Sequence, residues 1–408
     1  MRSLDELRSI ERAGVFQSGV AVATLERLGY AARFTYDPNF LASGGAPVAT
    51  TLPLSHDPVV THVAGALPPF FSGLLPEGRR LSALRLAAKT SADDEFTLLL
   101  AVGGDLVGDI QVIPEGDLPS AEVDPRLTVD DWSAVDFSQL FTASTGAPST
   151  IDRVGLAGVQ DKVSARMMSV PVAMRGDRFF LKLNPPELPH LVENEAFFLK
   201  AARKSGLDAA EGRIVQDATG ATALLVRRFD RQVDPSGTVA PLAQEDGCQV
   251  MGRYPADKYR LTTEEVIQAL ASLCLAQPVA ALYLLRQVAF AYLTCNGDAH
   301  AKNFSVQRLR SGEWRVTPAY DLPSTYPYGD TSMALPLNGR QKEDIGRKDF
   351  LALAGSVGLR SAPVERMLTE LCDRVDLWIG DLNQLPFDPR TLQELERAIE
   401  YRRGRLRG

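Results

Sequence analysis

The sequence predicts an α+β chain, on three observations. Residues 15–62 alternate apolar and polar side chains and break at Asp37-Pro38 and Gly44-Gly45, as short antiparallel strands do. Residues 151–240 alternate strand-like runs with one clear helix. From Thr262 onward the apolar spacing is mostly helical, with loops between the helices. At 408 residues the chain is too long for one ordinary core. The pattern shifts divide it into a small α/β N-terminal subdomain (1–145), a strand-rich lobe (146–240) and a helical lobe (241–408).

The elements follow in order. Leu4 to Gly14 has helical spacing and a glycine stop. After the strands, PPFFSGLLPEG leads into a helix from Arg79 to Lys89. TSADDEFTLLLAVGG opens on a Thr/Ser cap, continues with acids and ends on a glycine pair, which predicts a second helix. TASTGAPST (142–150) is small, polar and turn-rich, and is expected to be a linker. RFFLKL alternates as a strand, the segment through Phe198 and Leu199 is helical, and ATALLVRRFDR is a buried strand running into a charged turn. AALYLLRQVAFAYLTC is a buried helix ending at Asn296-Gly297. GEWRVTPAYDL is a turn and short strand with Asp321 at its end. Two further helices lie over PVERMLTELCDRVDLWIGDL and from Arg390 on, and the arginine-rich EYRRGRLRG is expected to be a solvated, frayed helix end.

Composition excludes several classes. Apolar residues make up 45% and charged residues 23%, as in soluble globular chains. No apolar run is long enough to span a bilayer and no secretory signal opens the chain, so a cytoplasmic location is expected. Cys248, Cys274, Cys295 and Cys372 have no metal-like spacing and are expected to be reduced structural thiols. With 44 basic and 51 acidic residues the net charge is −7, which argues against a strong nucleic-acid binder acting alone.

The chemistry concentrates in NGDAHAKNFS (296–305) and TPAYDLPST (317–325). Asp298 stands five residues before Asn303, and Asp321 follows one short loop later. That order suits phosphoryl transfer: one carboxylate takes a proton from the attacking hydroxyl, an amide holds Mg²⁺, and a second carboxylate bridges metal and nucleotide phosphates. Loop capping is the alternative, since Asp and Asn are favoured turn formers. His300 and Lys302 line the same loop; Lys302 could neutralise charge on the transferred group. Upstream, Gly155-Leu156-Ala157-Gly158 could present backbone N–H groups to phosphates, with Gln160 and Lys162 adding polar reach, or be an ordinary turn. Lys182 is either a solvated strand residue or the lysine that meets the nucleotide's α/β-phosphates and pairs with a helix glutamate. Of Glu193 and Glu195, Glu195 fits the helical pattern better.

These segments resemble the HipA family of serine/threonine kinases, the toxin half of bacterial toxin–antitoxin pairs. NGDAHAKNFS and AYDLPST are similar to its catalytic and metal loops, and GLAGVQDKVSA (155–165) to its phosphate loop. FFSGLLPEG, LLLAVGGDLVGDIQV, FLKLNPP, ENEAFFLKAARKSGL, LLVRRFDR and QEDGCQVMG match other family motifs, and the resemblance spans about residues 15–400. It implies a protein-kinase-like bilobal fold and the use of ATP and Mg²⁺. Asp298 would be the base, Asn303 and Asp321 the metal ligands. Gly155, Ala157, Gly158, Gln160, Lys162, Lys182, Arg228, Phe229, His300 and Lys302 would surround the nucleotide. LLVRRFDR would be the hinge whose backbone meets adenine, although Arg227 stands where many relatives carry an acid. It further implies a helix-turn-helix (HipB-like) antitoxin partner, DNA contact only through that partner, and a protein substrate such as an aminoacyl-tRNA synthetase. Relatives can silence themselves by phosphorylating a serine in the phosphate loop; here Gly155 lacks the hydroxyl. A non-catalytic nucleotide-binding co-repressor and a small-molecule kinase are the competing readings.

Overall fold

Period-two burial organises the first third of the molecule. β1 (Arg12–Gln17), β2 (Val20–Leu28) and β3 (Ala31–Tyr36) alternate buried and half-exposed residues. With β4 (Val59–Thr61) and β5 (Ile110–Pro114) they form an antiparallel sheet of order β4-β3-β2-β1-β5. The computed structural model describes the chain except residues 1–3, 5, 30, 63–64, 120–128, 130, 146–166, 175–176, 234–237 and 343, and the side chains of 142–145. α1 (Pro38–Ser43) interrupts the strands after Asp37, whose carboxylate caps it. α2 (Pro69–Gly73), α3 (Gly78–Ala88) and α4 (Glu95–Val102) follow. Val15, Leu25, Phe34, Phe71, Leu99 and Val112 meet in the core of this unit.

Two local expectations change. The helix expected over Leu4 to Gly14 is a single 3₁₀ turn at Glu6–Ser9, because Ala13 and Val15 alternate into the sheet core and pull Arg12–Gly14 into β1. The cap of α4 is Asp94, which accepts from the Thr97 N–H at 3.3 Å, while Thr90 Oγ1 donates to that same carboxylate at 2.6 Å.

α5 (Phe137–Thr145) carries the helix into the expected linker, so residues 142–145 are helical. Its start is held by the Phe137 N–H donating to Asp217 at 2.7 Å. Residues 146–150 of that linker lie outside the described residues. β6 (Met168–Met174), β7 (Asp177–Leu183), β8 (Gly212–Gln216) and β9 (Thr222–Arg227) form a second antiparallel sheet of order β6-β7-β9-β8. Val170, Leu181, Leu183, Ala223 and Leu225 pack on one face, over α5. The opposite face, with Leu224 and Val226, receives α6 (Leu191–Lys204). Lys182 pairs with Leu224 across the ladder, so strand alternation aims it at α6.

After the hairpin of β10 (Arg231–Val233) and β11 (Val239–Pro241) the chain enters the helical lobe. β12 (Gln244–Asp246) leads directly into α7 (Gly247–Val250), and α8 (Thr263–Leu273) is fixed by a Thr262/Glu265 capping box. α9 (Gln277–Leu293) is buried over most of its surface and forms the axis of the largest core. Its stop differs from the expected one: Cys295 takes the left-handed conformation, φ 58°, ahead of Asn296-Gly297. β13 (Ser305–Arg308) and β14 (Trp314–Val316) join β12 in a small sheet. α10 (Arg347–Ser356), α11 (Ser361–Asp373) and α12 (Pro389–Arg407) complete the lobe. The end of α12 is not frayed. Arg402 is buried, donating to the Tyr292 and Thr331 carbonyls at 2.7 and 2.6 Å, and Arg403 pairs with Asp376 at 2.6 Å. Apolar positions Leu395, Ile399 and Leu406 hold the helix down, so its arginines find partners in the protein.

Candidate active site

Lys182 is a central-strand residue, not a solvated edge. Its Nζ lies 2.8 Å from both carboxylate oxygens of Glu195 and 3.0 Å from Asp321 Oδ1. Burial opposes its charge, but Asp321 and Glu195 hold its ammonium above the usual lysine range. Glu195 is the partner, as the helical pattern favoured; Glu193 instead bonds Asn184 and Thr222 at the start of α6. Burial raises the Glu195 carboxyl, against the pull of Lys182. Burial also disfavours the Asp321 carboxylate, yet Lys182 and the Asn303 amide hold its pKa below the usual aspartate value.

Asp321 takes a positive φ of 56°, a costly conformation for a residue with a β-carbon. Its surroundings fix it there: Asn303 Nδ2 donates to Oδ2 at 2.8 Å, and Asn296 Nδ2 to the backbone carbonyl at 3.2 Å. The loop after α9 closes on itself in the same way. Asn296 Oδ1 accepts from the Asp298 N–H at 3.0 Å, and Asn303 Oδ1 from the His300 N–H at 3.1 Å, at the start of a 3₁₀ turn over Ala301–Asn303. Gly297 is required by close approach: a β-carbon there would lie 2.8 Å from Thr325 Oγ1 and Asp330 Oδ2. Asp298 is buried, and Tyr259 donates its hydroxyl to Asp298 Oδ1 at 2.6 Å. Lys182, Glu195, Asn303 and Asp321 thus form one connected network, with Asp298 on the same short loop as Asn303.

Other expected site residues have different surroundings. The Lys302 ammonium is held by Asp246 at 2.8 Å and the Gly73 carbonyl at 2.9 Å, with Glu77 at 3.5 Å. It is therefore committed to a buried ion cluster. His300 is buried beside Tyr259; burial and then Lys258 keep its imidazole well below its ordinary pKa, so it is neutral. Its Nδ1 has no hydrogen-bond partner among the described residues. The Arg228 side chain is also committed, to Asp230 and Asp105, each at 2.7 Å, and to the Leu106 carbonyl at 2.8 Å, above the Phe180 ring. The Arg228 backbone is engaged as well: its N–H donates to the Arg178 carbonyl at 2.9 Å, and its carbonyl accepts from the Arg231 N–H at 3.4 Å. Phe229 is half-buried with its ring 5.7 Å from that of Tyr320. Gly155, Ala157, Gly158, Gln160 and Lys162 lie outside the described residues.

The family models match in the same order as the architecture. One described as the HipA N-terminal domain matches residues 13–113, and one described as the HipA-like C-terminal domain matches 154–379. The Y4mE protein of Sinorhizobium fredii is 30% identical over 348 residues, covering 80% of each chain. Y4dM of the same organism is 32% identical over 355 residues, covering 81% of each. The chain belongs to the HipA family. Another relative is the serine/threonine-protein kinase toxin HipA of Shewanella oneidensis, 29% identical over 72% of this chain and 70% of that protein. The solved complex of Shewanella oneidensis HipA with HipB and operator DNA superposes with a TM-score of 0.78 over 97% of both chains at 22% identity. The HipA fold is therefore shared, an α+β kinase-like arrangement of a strand-rich lobe and a helical lobe behind an N-terminal unit. Among the described residues no helix is long and apolar enough to cross a membrane.

Sequence reasoning missed three contributors to the loop. Tyr259 sits in a polar turn with no motif to mark it. Lys258, beside it, accepts the Ala301 N–H on its carbonyl at 3.2 Å. Glu77 reaches the site from the N-terminal domain, and its only sequence signal was its place in FFSGLLPEG.

Proposed function

We propose that this HipA-family chain is an ATP- and Mg²⁺-dependent serine/threonine protein kinase acting as the toxin of a toxin–antitoxin pair. The observation that carries the reading is the single network joining Lys182, Glu195, Asp321 and Asn303, with Asp298 on the adjoining loop. Its donors fit the groups it would hold. Amide and carboxylate oxygens are hard ligands suited to Mg²⁺, and Asp321 stays anionic at neutral pH. Asn303 and Asp321 would hold the metal, which when bound supplies charge neutralisation at the nucleotide phosphates. Lys182, kept in place by Glu195, would meet the α/β-phosphates. Phe229 would flank the base, with backbone contacts from the neighbouring segment. The 155–162 segment would cover the phosphates. Asp298 would accept the proton of the substrate hydroxyl, with Tyr259 fixing its orientation.

The partner in this reading is a small helix-turn-helix antitoxin. A HipA relative has been solved with HipB and operator DNA, and the net charge of −7 favours DNA contact through such a partner over direct binding. The substrate is a protein of the translation machinery, with an aminoacyl-tRNA synthetase as the class the family suggests, and growth arrest as the outcome in the cytoplasm.

The test is Asp298→Asn in the full-length chain, followed by transfer to protein substrates and by ATP binding with and without Mg²⁺. The change keeps size and a hydrogen-bond acceptor for Tyr259 while removing the base. Transfer is expected to vanish with nucleotide affinity nearly intact. Retention of more than about a tenth of wild-type transfer would exclude Asp298 as the base, since general-base catalysis contributes about 10²-fold or more. Mg²⁺-dependent binding without transfer in the wild type would replace the kinase by a nucleotide-binding co-repressor.

A further inference from the structure

The FFSGLLPEG segment of the N-terminal domain has a use that its sequence did not disclose. Its next-to-last residue is Glu77, whose carboxylate lies between two lysines of the helical lobe. One is Lys258, in direct ion-pair contact, and the other is Lys302 at 3.5 Å. Lys302 is the residue just before Asn303, and its ammonium also meets Asp246 at 2.8 Å. The result is a node of two cations and two anions, mostly withdrawn from solvent, with side-chain exposures of 12% and 13% for the lysines. Buried charges persist only where they are paired and hydrogen-bonded.

Two paths run from this node to the catalytic loop. Through Lys302 it anchors the 3₁₀ turn that carries Asn303, and the Lys302 carbonyl is bonded in turn by the Tyr320 hydroxyl at 2.7 Å. Through Lys258 it anchors the other side: the Lys258 carbonyl takes the Ala301 N–H at 3.2 Å, and the next residue, Tyr259, bonds Asp298 at 2.6 Å. The backbone of the N-terminal segment is docked independently. Gln249 Nε2 donates to the Phe70 carbonyl at 3.0 Å, and Gly73 leaves room for Gln249, where a β-carbon would come within 2.7 Å.

We propose that Glu77 is a positioning residue of the phosphoryl-transfer site: the N-terminal domain supplies the carboxylate that holds the catalytic loop in register through Lys302 and Lys258. The proposal rests on the kinase reading of that loop. Without the Glu77 charge, the Lys258 ammonium loses its ion-pair partner, and Lys302 keeps Asp246 and the Gly73 carbonyl. Lys258 must then turn toward solvent, and the segment bearing Tyr259 moves with it.

The test compares full-length wild type, E77Q, E77D and D298N. Gln keeps the shape and removes the charge; Asp keeps the charge on a shorter stem. Misplacing a catalytic group by about 1 Å costs up to about 100-fold, so E77Q is expected to lower kcat by at least about ten-fold with the KM for Mg·ATP within about two-fold. E77D should recover most of that loss. Hydrogen exchange supplies a readout independent of activity: amides of residues 297–304 should exchange faster in E77Q, while those of β7 and β9 keep wild-type protection. Wild-type kcat and wild-type loop protection in E77Q overturn the proposal. So does a rise in exchange throughout the chain that E77D fails to reverse, which would make Glu77 a fold staple. If D298N transfers as well as wild type, Asp298 is not the base; if wild type does not transfer at all, the kinase reading fails, and the exchange measurement alone decides whether Glu77 holds the loop. Should E77Q not fold, K258Q breaks the same node from the other side and is judged by the same criteria.

Discussion

Lys182 shows how burial decides between two meanings of one residue. A lysine in an alternating strand is a solvated head on an apolar stem unless its neighbours supply charge. Here β7 lies between two other strands, and the face Lys182 occupies is covered by α6, which offers Glu195 at bonding distance. Removing one partner of such a pair leaves the other charge buried and uncompensated, at a cost of about 3–5 kcal/mol. Lys182→Ala is therefore expected to lower the melting temperature and to raise the KM for ATP by about ten-fold or more, since a charged hydrogen bond to phosphate is lost together with the geometry of Asp321. Initial-rate kinetics over a range of ATP concentrations checks this. An unchanged KM would leave Lys182 a structural ion-pair residue. Arg228 is the opposite case. Its neighbours Asp230 and Asp105 absorb its charge completely, and although burial disfavours the Asp230 carboxylate, Arg228 and Arg231 draw it down to about 2.

At the scale of elements, the loop after α9 is held by what packs on it. α9 ends at a left-handed Cys295, which turns the chain so that Gly297 passes against the Thr325–Asp330 segment. The Gly297 N–H donates to Thr325 Oγ1 at 2.8 Å, and that hydroxyl donates to the Asp330 carbonyl at 2.7 Å. Gly297→Ala forces a β-carbon into this contact. Overpacking of this kind costs about 1–3 kcal/mol, so the variant should melt earlier and lose more kcat than its stability alone explains. Thermal melting alongside kcat at a temperature where both proteins are folded separates the two effects; a variant equal to wild type in both would show that the segment yields freely. The end of α12 follows the same logic. An arginine-rich terminus is expected to fray only if its apolar positions have no core to join, and here Leu406 and Ile399 are fully buried.

Across the whole molecule, the N-terminal domain grips both lobes. Asp105, Leu106 and Gly108 bond Arg228, Asp230 and Arg231 beside the strand-rich lobe, while Glu77 and Thr50 reach the helical lobe. Thr50 donates its N–H and its hydroxyl to Glu245, both at 2.8 Å. Glu245 is 2% exposed, and burial, only partly offset by these bonds, pushes its carboxyl from 4.5 up to about 7. A carboxyl raised by folding binds its proton more tightly in the folded than in the unfolded chain. Its contribution to stability is therefore full below pH 4.5 and is lost as pH rises to about 7. Glu245→Gln removes the titration. Its melting temperature relative to wild type should increase between pH 5 and 7.5, by an amount corresponding to about 1–3 kcal/mol. A difference that stays constant over this range would mean that Glu245 is ionised in the folded protein throughout.

What the sequence determined by itself was local. Period-two alternation, caps and turn residues located most strands and helices, because these depend on neighbours within a few positions. The order of short polar motifs also singled out Asp298, Asn303 and Asp321, and the fold brings Asn303 against Asp321 with Asp298 on the same loop. Where local signals conflicted, the tertiary structure decided. The helical spacing of Leu4 to Gly14 yielded to sheet pairing, and the fraying expected of EYRRGRLRG to a core contact and buried arginine bonds. The roles of charged side chains were decided only in three dimensions. Lys182, Lys302 and Arg228 are all cations in apolar or polar runs, and nothing local distinguishes them. Which one meets Glu195 and Asp321, which one ties the loop after α9 to the N-terminal domain, and which one locks that domain to the strand-rich lobe depends on partners 13 to 229 positions away along the chain. Coulomb energy depends on distance in space and on exclusion of water, and a sequence reports neither until the chain has folded.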